Sequence, residues 1–447
     1  MNKFRLLHIL IVCVLLCAGV RVASAGEIRT LRVQYINANT GEPYSMPERP
    51  SLFSDPQSTA GEQLLLSGDG DMDGHVLEIS FDEMSQNFKQ YTYTVRHCDA
   101  SGKPDNLASV EYLDGFTTQD ITDYMPSLNT QQIYTHYRFL FPNDDMRLKV
   151  SGRYEISIYE DGDPDRTVAR VPIYVCDTRV RISGQVLSTT DIELSGRYQQ
   201  LEIDVQTDGR STNVKEDYFI IVQQNGRTDN MVVAPQPTFV DGRSLRWQHC
   251  KPLIFEGGDE YRHFDAYSTY YAGTGIDRIV YEMGDYHALL FTDELRATQP
   301  YSHEFDVNGQ YRVHAERVQD VETEAEYMWV HWVLKADKPF FDGAVYVGGD
   351  LFGNTLSLKN RMDYDAERKC YYLAAPVKQG GYDYQYWFVP KAAVRGQISE
   401  VRSQKSEVTL LRTEGSHWET RNEYTIYVYY KPFGARYERL VGVKRIN

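Results

Sequence analysis

The chain has 447 residues, with 63 acidic and 47 basic side chains and a formal net charge of −16. This length suggests about three domains. An acidic surface repels phosphate backbones, so the composition argues against nucleic acid as a partner and offers no cationic patch for anionic lipids. Aromatic residues make up 13% of the chain, and 34 residues are Tyr. Because Tyr and β-branched residues suit half-buried strands, the composition predicts an all-β protein.

The first 25 residues have the pattern of a signal peptide. Lys3 and Arg5 precede an apolar run over residues 6–20, and Ala23-Ser24-Ala25 supplies the small residues that a signal peptidase needs. No later segment reaches the roughly 20 apolar residues of a membrane helix. We therefore expect residues 1–25 to be removed and the rest of the chain to be exported.

Residues 26–177 are predicted to form one β-sandwich. Apolar and polar residues alternate there with a period of two, which places each apolar set on one face of a strand. Gly, Asp and Pro turns separate the sets, as in 68–71 and 160–165. The sets are Leu31, Val33 and Tyr35; Leu77, Ile79 and Phe81; Tyr91, Tyr93, Val95 and His97; Tyr137, Phe139 and Phe141; Tyr154, Ile156 and Ile158; Val171, Ile173 and Val175.

Two further β-rich segments follow, at 178–339 and 340–447. The best strands of the middle segment are 201–205 and 218–222, and the segment also holds the stretches 255–265 and 327–334. The strands of the last segment are 345–354, 370–377, 380–388 and 423–430. No low-complexity linker separates the segments, and no stretch predicts a helix of three or more turns. We expect tandem β-sandwiches in one elongated, stiff chain.

The sequence places three residues with reactive side chains next to each other, namely His97, Cys98 and Asp99. Adjacent strand residues point to opposite faces, so His97 and Cys98 are not expected to share a metal or a proton. We interpret His97 as an inward-facing strand residue, Cys98 as a small filler and Asp99 as the start of a turn. No catalytic residue is predicted.

The four cysteines beyond residue 25 do not form a disulfide scaffold. Export permits disulfides, and only Cys98 and Cys176 share a predicted domain. A Cys98–Cys176 bridge stays open as an alternative, but we expect unpaired thiols at all four positions, which are Cys98, Cys176, Cys250 and Cys370.

Asp69, Asp71 and Asp73 copy the first half of a calcium loop, with Gly74 at the sixth position. In a complete EF-hand loop starting at Asp69, residue 80 would be Glu, but Ser80 stands there instead. The three carboxylates are a weak calcium candidate, and a polar hairpin turn is the simpler interpretation. No other cofactor is predicted, because the sequence has no nucleophile elbow, zinc-helix motif or phosphate loop.

The chain resembles the plug protein family of the type IX secretion system. The first segment carries most of the likeness, in 93–100, 106–116, 121–130, 134–148 and 151–163, and further matches follow in order at 222–230, 255–265, 380–388 and 422–443. The resemblance implies a non-enzymatic periplasmic protein on the inner side of the outer membrane. Its implied partner is the giant outer-membrane β-barrel translocon, whose pore it would occlude when no substrate is passing.

Two alternatives remain at the level of sequence. The last segment also resembles an early-set immunoglobulin-like module of glycogen-active enzymes, and exposed Phe352, Tyr384 and Trp387 would then make a carbohydrate platform. An exported glycoside hydrolase or peptidase is the more distant alternative, since it needs a pocket that no motif announces. The aromatic tail 423–443 is either an interaction element or, as we favour, the closing strand of the third sandwich, with its aromatics in the core.

Overall fold

Strands make up 51% of the structure and helices 6%, which confirms the all-β prediction. The structure is a computed structural model, and it describes residues 27–37, 63–65, 75–85, 88–194, 196–209, 211, 213–234, 236–391 and 408–447. The predicted signal peptide lies outside these residues.

The first unit of the fold comprises two packed sheets, with the order β1-β3-β8-β7 in one and β2-β11-β10-β4-β6 in the other, and β5 pairs with β9. Each apolar set predicted for this region falls on one of these strands. Phe81, Tyr91 and Tyr137 pack ring to ring between the sheets, with centroids 5.0–5.2 Å apart. The strands are β1 Ile28–Asn37, β2 Gln63–Leu65, β3 His75–Glu83, β4 Tyr91–Cys98, β5 Leu113–Gly115, β6 Thr118–Ile121, β7 Asp123–Pro126, β8 Thr135–Phe141, β9 Met146–Leu148, β10 Gly152–Glu160 and β11 Thr167–Cys176.

The remaining strands build a second and a third unit. They are β12 Arg181–Leu187, β13 Tyr198–Gln206, β14 Tyr218–Gln224, β15 Val232–Ala234, β16 Phe239–Asp241, β17 Ser244–Trp247, β18 Ile254–Glu256, β19 Arg262–Asp265, β20 Ile276–Glu282, β21 Asp285–Leu290, β22 Asp293–Glu294, β23 Tyr311–Val313, β24 Tyr327–Lys335, β25 Gly343–Gly348, β26 Asp363–Asp365, β27 Cys370–Lys378, β28 Gly380–Pro390, β29 Tyr424–Tyr430 and β30 Arg439–Ile446.

Helices in the described residues are single turns, in line with the sequence expectation. They are the α-helical turns Ser109–Tyr112, Val214–Asp217 and Val321–Glu324 and the 3₁₀ turns Pro164–Arg166, Lys251–Leu253 and Asp350–Phe352. Within the same residues, none of the helices has the length and apolar character that crossing a membrane requires.

The second unit packs sheet β12-β13-β17-β16, with β18 on β13, against sheet β15-β14-β29-β30. Its core surrounds the fully buried Trp247. The third unit packs β28 and its partners β19, β23 and β25 against the sheet β20-β21-β24-β27-β26, with Trp332 in its core.

Strand pairing crosses the boundary predicted between residues 339 and 340. β14 pairs along its whole length with β29, from Tyr218 opposite Tyr430 to Gln224 opposite Tyr424. β24 pairs with β27 on the other side of the same boundary. The predicted boundary therefore separates strands that belong to the same sheets. The sequence does not predict this, because alternation shows which face of a strand is buried but not which strand lies beside it. We propose a division into units β1–β11, β12–β18 with β29–β30, and β19–β28.

The aromatic tail closes the second unit instead of the third. Tyr424 lies in the second unit's core, while Tyr427 and Tyr429 lie in a cluster shared with the first unit. Tyr174 of β11 and Tyr427 of β29 stack with ring centroids 4.6 Å apart. The closing-strand interpretation predicts buried aromatics in this tail, and they are buried, but the tail closes the second unit and not the third.

Candidate functional site: the charged contact between the first and third units

Polar side chains of β1, β3 and β8 cover the outer face of the first unit's four-stranded sheet. Arg32, Ser80, Asp82 and His136 alternate with core residues, so strand geometry alone would leave them in water. They are nevertheless only 0–2% exposed. The third unit covers them, and buried charges join the two units at this contact.

Asp82 is the centre of the cluster. Its Oδ2 accepts hydrogen bonds from Lys378 Nζ at 2.7 Å and from the Tyr327 hydroxyl at 2.7 Å, and its Oδ1 lies 2.7 Å from His136 Nδ1. Burial alone would raise the pKa of Asp82, but the charge of Lys378 and the hydrogen bond from His136 outweigh it and hold the pKa at about 2. Asp82 is therefore ionised at every physiological pH.

Lys378 reaches Asp82 from the end of β27 and is itself buried. Its Nζ also donates to the Glu322 carbonyl at 2.6 Å and lies 4.4 Å from the centroid of the Tyr134 ring, a cation–π contact. The ammonium thus has two oxygen acceptors and an aromatic face as partners.

Arg32 forms the second ion pair across the contact. Its guanidinium donates to Ser80 Oγ at 3.2 Å and forms an ion pair with the Glu322 carboxylate. Burial would lower the pKa of Arg32, but the Glu322 charge raises it above its ordinary value. Glu322 is placed by the one-turn helix Val321–Glu324, whose first turn is capped by Asp320 accepting from the Glu322 amide at 3.0 Å.

The arrangement fixes the two units against each other. Removing one member of a buried ion pair leaves its partner charged in a dry site and typically costs about 3–5 kcal/mol. The sequence alone does not predict this contact. Alternation shows that the side chains of Asp82 and Arg32 point away from the core of the first unit, but not that another unit covers them. The lysine at the end of the apolar strand β27 was the one feature of the sequence that could have indicated a buried ion pair.

The His97-Cys98-Asp99 group has a structural arrangement. His97 is buried, its Nδ1 pairs with the Asp105 carboxylate, and its ring packs edge-on against Tyr154 with centroids 4.7 Å apart. Asp99 accepts from the backbone amides of Ser101 and Lys103 at 2.9 and 3.0 Å and so closes the turn after β4. This is what the strand-end interpretation expects.

The cysteines Cys98, Cys176, Cys250 and Cys370 are all buried free thiols. Burial raises the pKa of Cys98 to about 12 and that of Cys176 to about 11. A thiol in such a site is protonated at neutral pH and a poor nucleophile.

The calcium candidate Asp69, Asp71 and Asp73 lies outside the described residues, and it stays a prediction. Within the described ranges, no group of three or more His, Cys, Asp or Glu side chains is placed to hold a metal ion.

The aromatics predicted as a carbohydrate platform do not form one. Tyr384 is 4% exposed and Trp387 is fully buried, and Phe352 packs against Trp332 with centroids 5.9 Å apart. Sugar stacking needs an open aromatic face, which Tyr384 and Trp387 cannot offer. The alternative function loses the residues on which it depended.

Comparison with known proteins gives a match to a family model and matches to solved structures. Residues 71–177 match the family model described as Type 9 secretion system plug protein 1st domain. A hypothetical protein from Parabacteroides merdae, known from a crystal structure, is similar over 94% of this chain and 97% of that chain, with 34% sequence identity and a TM-score of 0.82. A search of curated proteins finds no match. The chain therefore belongs to the type 9 secretion system plug protein family.

Proposed function

We propose that this protein is a non-enzymatic periplasmic plug. It occludes the giant outer-membrane β-barrel translocon of the type 9 secretion system from the inner side when no substrate is passing. The single observation that carries the proposal is the match of residues 71–177 to the plug family's first domain. The translocon as partner and the periplasm as location are expectations that follow from that family.

The physical requirements of a plug support the proposal. Occlusion needs volume and stiffness, and a stiff body requires that its units do not swing against each other. Here Arg32 and Asp82 of the first unit are bonded to Glu322 and Lys378 of the third. The first and second units are joined by the Asp177 amide on the Leu440 carbonyl at 3.0 Å and by stacked tyrosines.

Affinity purification of the tagged protein from its own cells tests the proposal. After mild cross-linking, we expect to recover an outer-membrane β-barrel of very large size, because the plug spends most of its time seated in the pore. An unrelated periplasmic protein with the same tag is the control. Recovery of the barrel with neither protein, or equally with both, would count against the plug role.

A further inference from the structure

Two histidines contact each other on the outer face of a sheet of the third unit. His287 of β21 and His331 of β24 lie on neighbouring parallel strands. Ala288 and Val330, the residues next to them in the sequence, point into the core of the third unit, so the two imidazoles lie on the opposite face of the sheet. His287 Nδ1 and His331 Nε2 are 3.0 Å apart. The facing nitrogens are therefore close enough to share one small ligand.

The remaining nitrogen of each ring also has a partner. His331 Nδ1 lies 2.7 Å from the hydroxyl of Tyr372 on β27, and His287 forms a hydrogen bond with the backbone of Glu282. In protein metal sites, a ligating imidazole almost always bonds a second group in this way, which fixes its orientation and its tautomer. The two histidines are thus held as metal ligands are held.

Both rings favour the neutral form that binds metal ions. Burial lowers the pKa of His287 and of His331, and the charge of His287 lowers the pKa of His331 further, to about 3. An ion between the facing nitrogens leaves the ring protons on the outer nitrogens, where His331 Nδ1–H donates to the Tyr372 oxygen. Binding at neutral pH therefore changes tautomers and releases no proton.

The separation of the facing nitrogens suits a single ion. At 3.0 Å apart, two nitrogens that each lie about 2.05 Å from a metal ion subtend an angle of about 95° at that ion, and widening the gap by about 0.3 Å gives the tetrahedral angle. The negative charges of Asp285 and Glu282 raise the pKa of His287, and the same field attracts a cation. In the part of the chain that the structure describes, no third His, Cys, Asp or Glu joins the pair, so water completes the coordination.

We propose that His287 and His331 bind one divalent transition-metal ion, such as Cu²⁺ or Zn²⁺, through His287 Nδ1 and His331 Nε2. Imidazole suits copper, nickel and zinc, with copper bound most tightly, whereas Mg²⁺ and Ca²⁺ prefer oxygen ligands. The bound ion would link β21 to β24 across the outer face of the sheet. This binding activity goes beyond the proposed function and does not depend on it.

Titration with metal ions tests the proposal on the protein purified without a histidine tag and treated with a chelator. By calorimetry, we expect one Cu²⁺ per chain, weaker binding of Zn²⁺ and no binding of Mg²⁺. The electron paramagnetic resonance spectrum of the Cu²⁺ form should show two coordinated imidazole nitrogens. This spectrum comes from the unchanged protein, so it tests the site even if a variant folds poorly.

Single substitutions locate the site. His287→Gln and His331→Gln should each weaken Cu²⁺ binding by about tenfold or more, because each removes one of two protein ligands. Tyr372→Phe keeps both ligands but removes the hydroxyl that holds the His331 ring, and should weaken binding by about tenfold. The matched control is His249→Gln, since the His249 side chain is 81% exposed and pairs only with Asp191 among the ion pairs of the described residues. That control should bind Cu²⁺ like the unchanged protein.

Several results would overturn the proposal. These are no binding of Cu²⁺ to the unchanged protein at about 1 mM, a spectrum without two imidazole nitrogens, or equal losses in His331→Gln and His249→Gln. A stoichiometry of one ion per two chains would place the metal between copies and would also overturn the proposal.

Discussion

Replacing Lys378 by Met should destabilise the protein far more than replacing an exposed lysine. Met keeps most of the side-chain volume but removes the ammonium, so Asp82 remains ionised in a dry contact with only His136 and Tyr327 as partners. Breaking a buried ion pair in this way costs about 3–5 kcal/mol. We expect a loss of this size in the free energy of unfolding.

Lys335→Met is the matched control. Lys335 ends the neighbouring strand β24 and pairs with Glu294 at 3.1 Å, but its side chain is 60% exposed. An exposed pair is worth about 0–1 kcal/mol, so this variant should unfold close to the unchanged protein.

Urea unfolding is followed by two signals. All 5 Trp lie outside the first unit, so their fluorescence reports the second and third units, while far-UV circular dichroism reports the whole chain. Asp82→Leu combined with Lys378→Met should recover part of the loss, because an apolar pair leaves no charge unpaired. If Lys378→Met costs no more than Lys335→Met, the contact between the units is not a buried ion pair in solution and the reasoning is wrong.

Three more predictions concern titration and reactivity. Because the folded pKa of Asp82 is about 2, below the ordinary value of about 3.9, its contribution of roughly 2 kcal/mol is present above about pH 4 and is lost as the pH falls toward 2. Asp82→Asn should flatten that part of the acid-unfolding curve, and an unchanged slope would contradict this. Burial, followed by the charge of His287, lowers the pKa of His331 to about 3, so stability should fall as the pH drops below about 6.5. His331→Gln should remove that sensitivity in thermal unfolding at pH 7 and pH 5, and an equal drop in both proteins would argue against a neutral buried ring. Finally, Cys98 and Cys176 should react with a maleimide dye only after denaturation, and rapid labelling of either thiol in the folded protein, read by mass spectrometry, would contradict their burial.

Much of the first unit could be predicted from the sequence. In β3, Leu77, Ile79 and Phe81 alternate with polar residues, and all three are fully buried in the core. His97 ends such a series on β4 and is buried in the same way. Local alternation was sufficient here, because one face of each strand packs against the opposite sheet.

The charged contact between the first and third units could not be predicted by the same rule. Alternation places Asp82 on the outer face of its sheet, but whether that face meets water or another unit depends on residues about 300 positions later, such as Lys378. The sequence also does not predict which strands pair with each other. β14 and β29 are separated by about 200 residues and pair along their full lengths. Trp387 shows the converse case, since an aromatic that could stack on sugars lies in the interior.

A permeability measurement tests the plug role most directly. If the protein fills the translocon pore, its deletion should admit a large antibiotic that the outer membrane normally excludes, and deletion of the barrel together with it should restore the barrier. A double deletant that leaks as much as the single deletant would contradict the account, because the leak would then not pass through the pore.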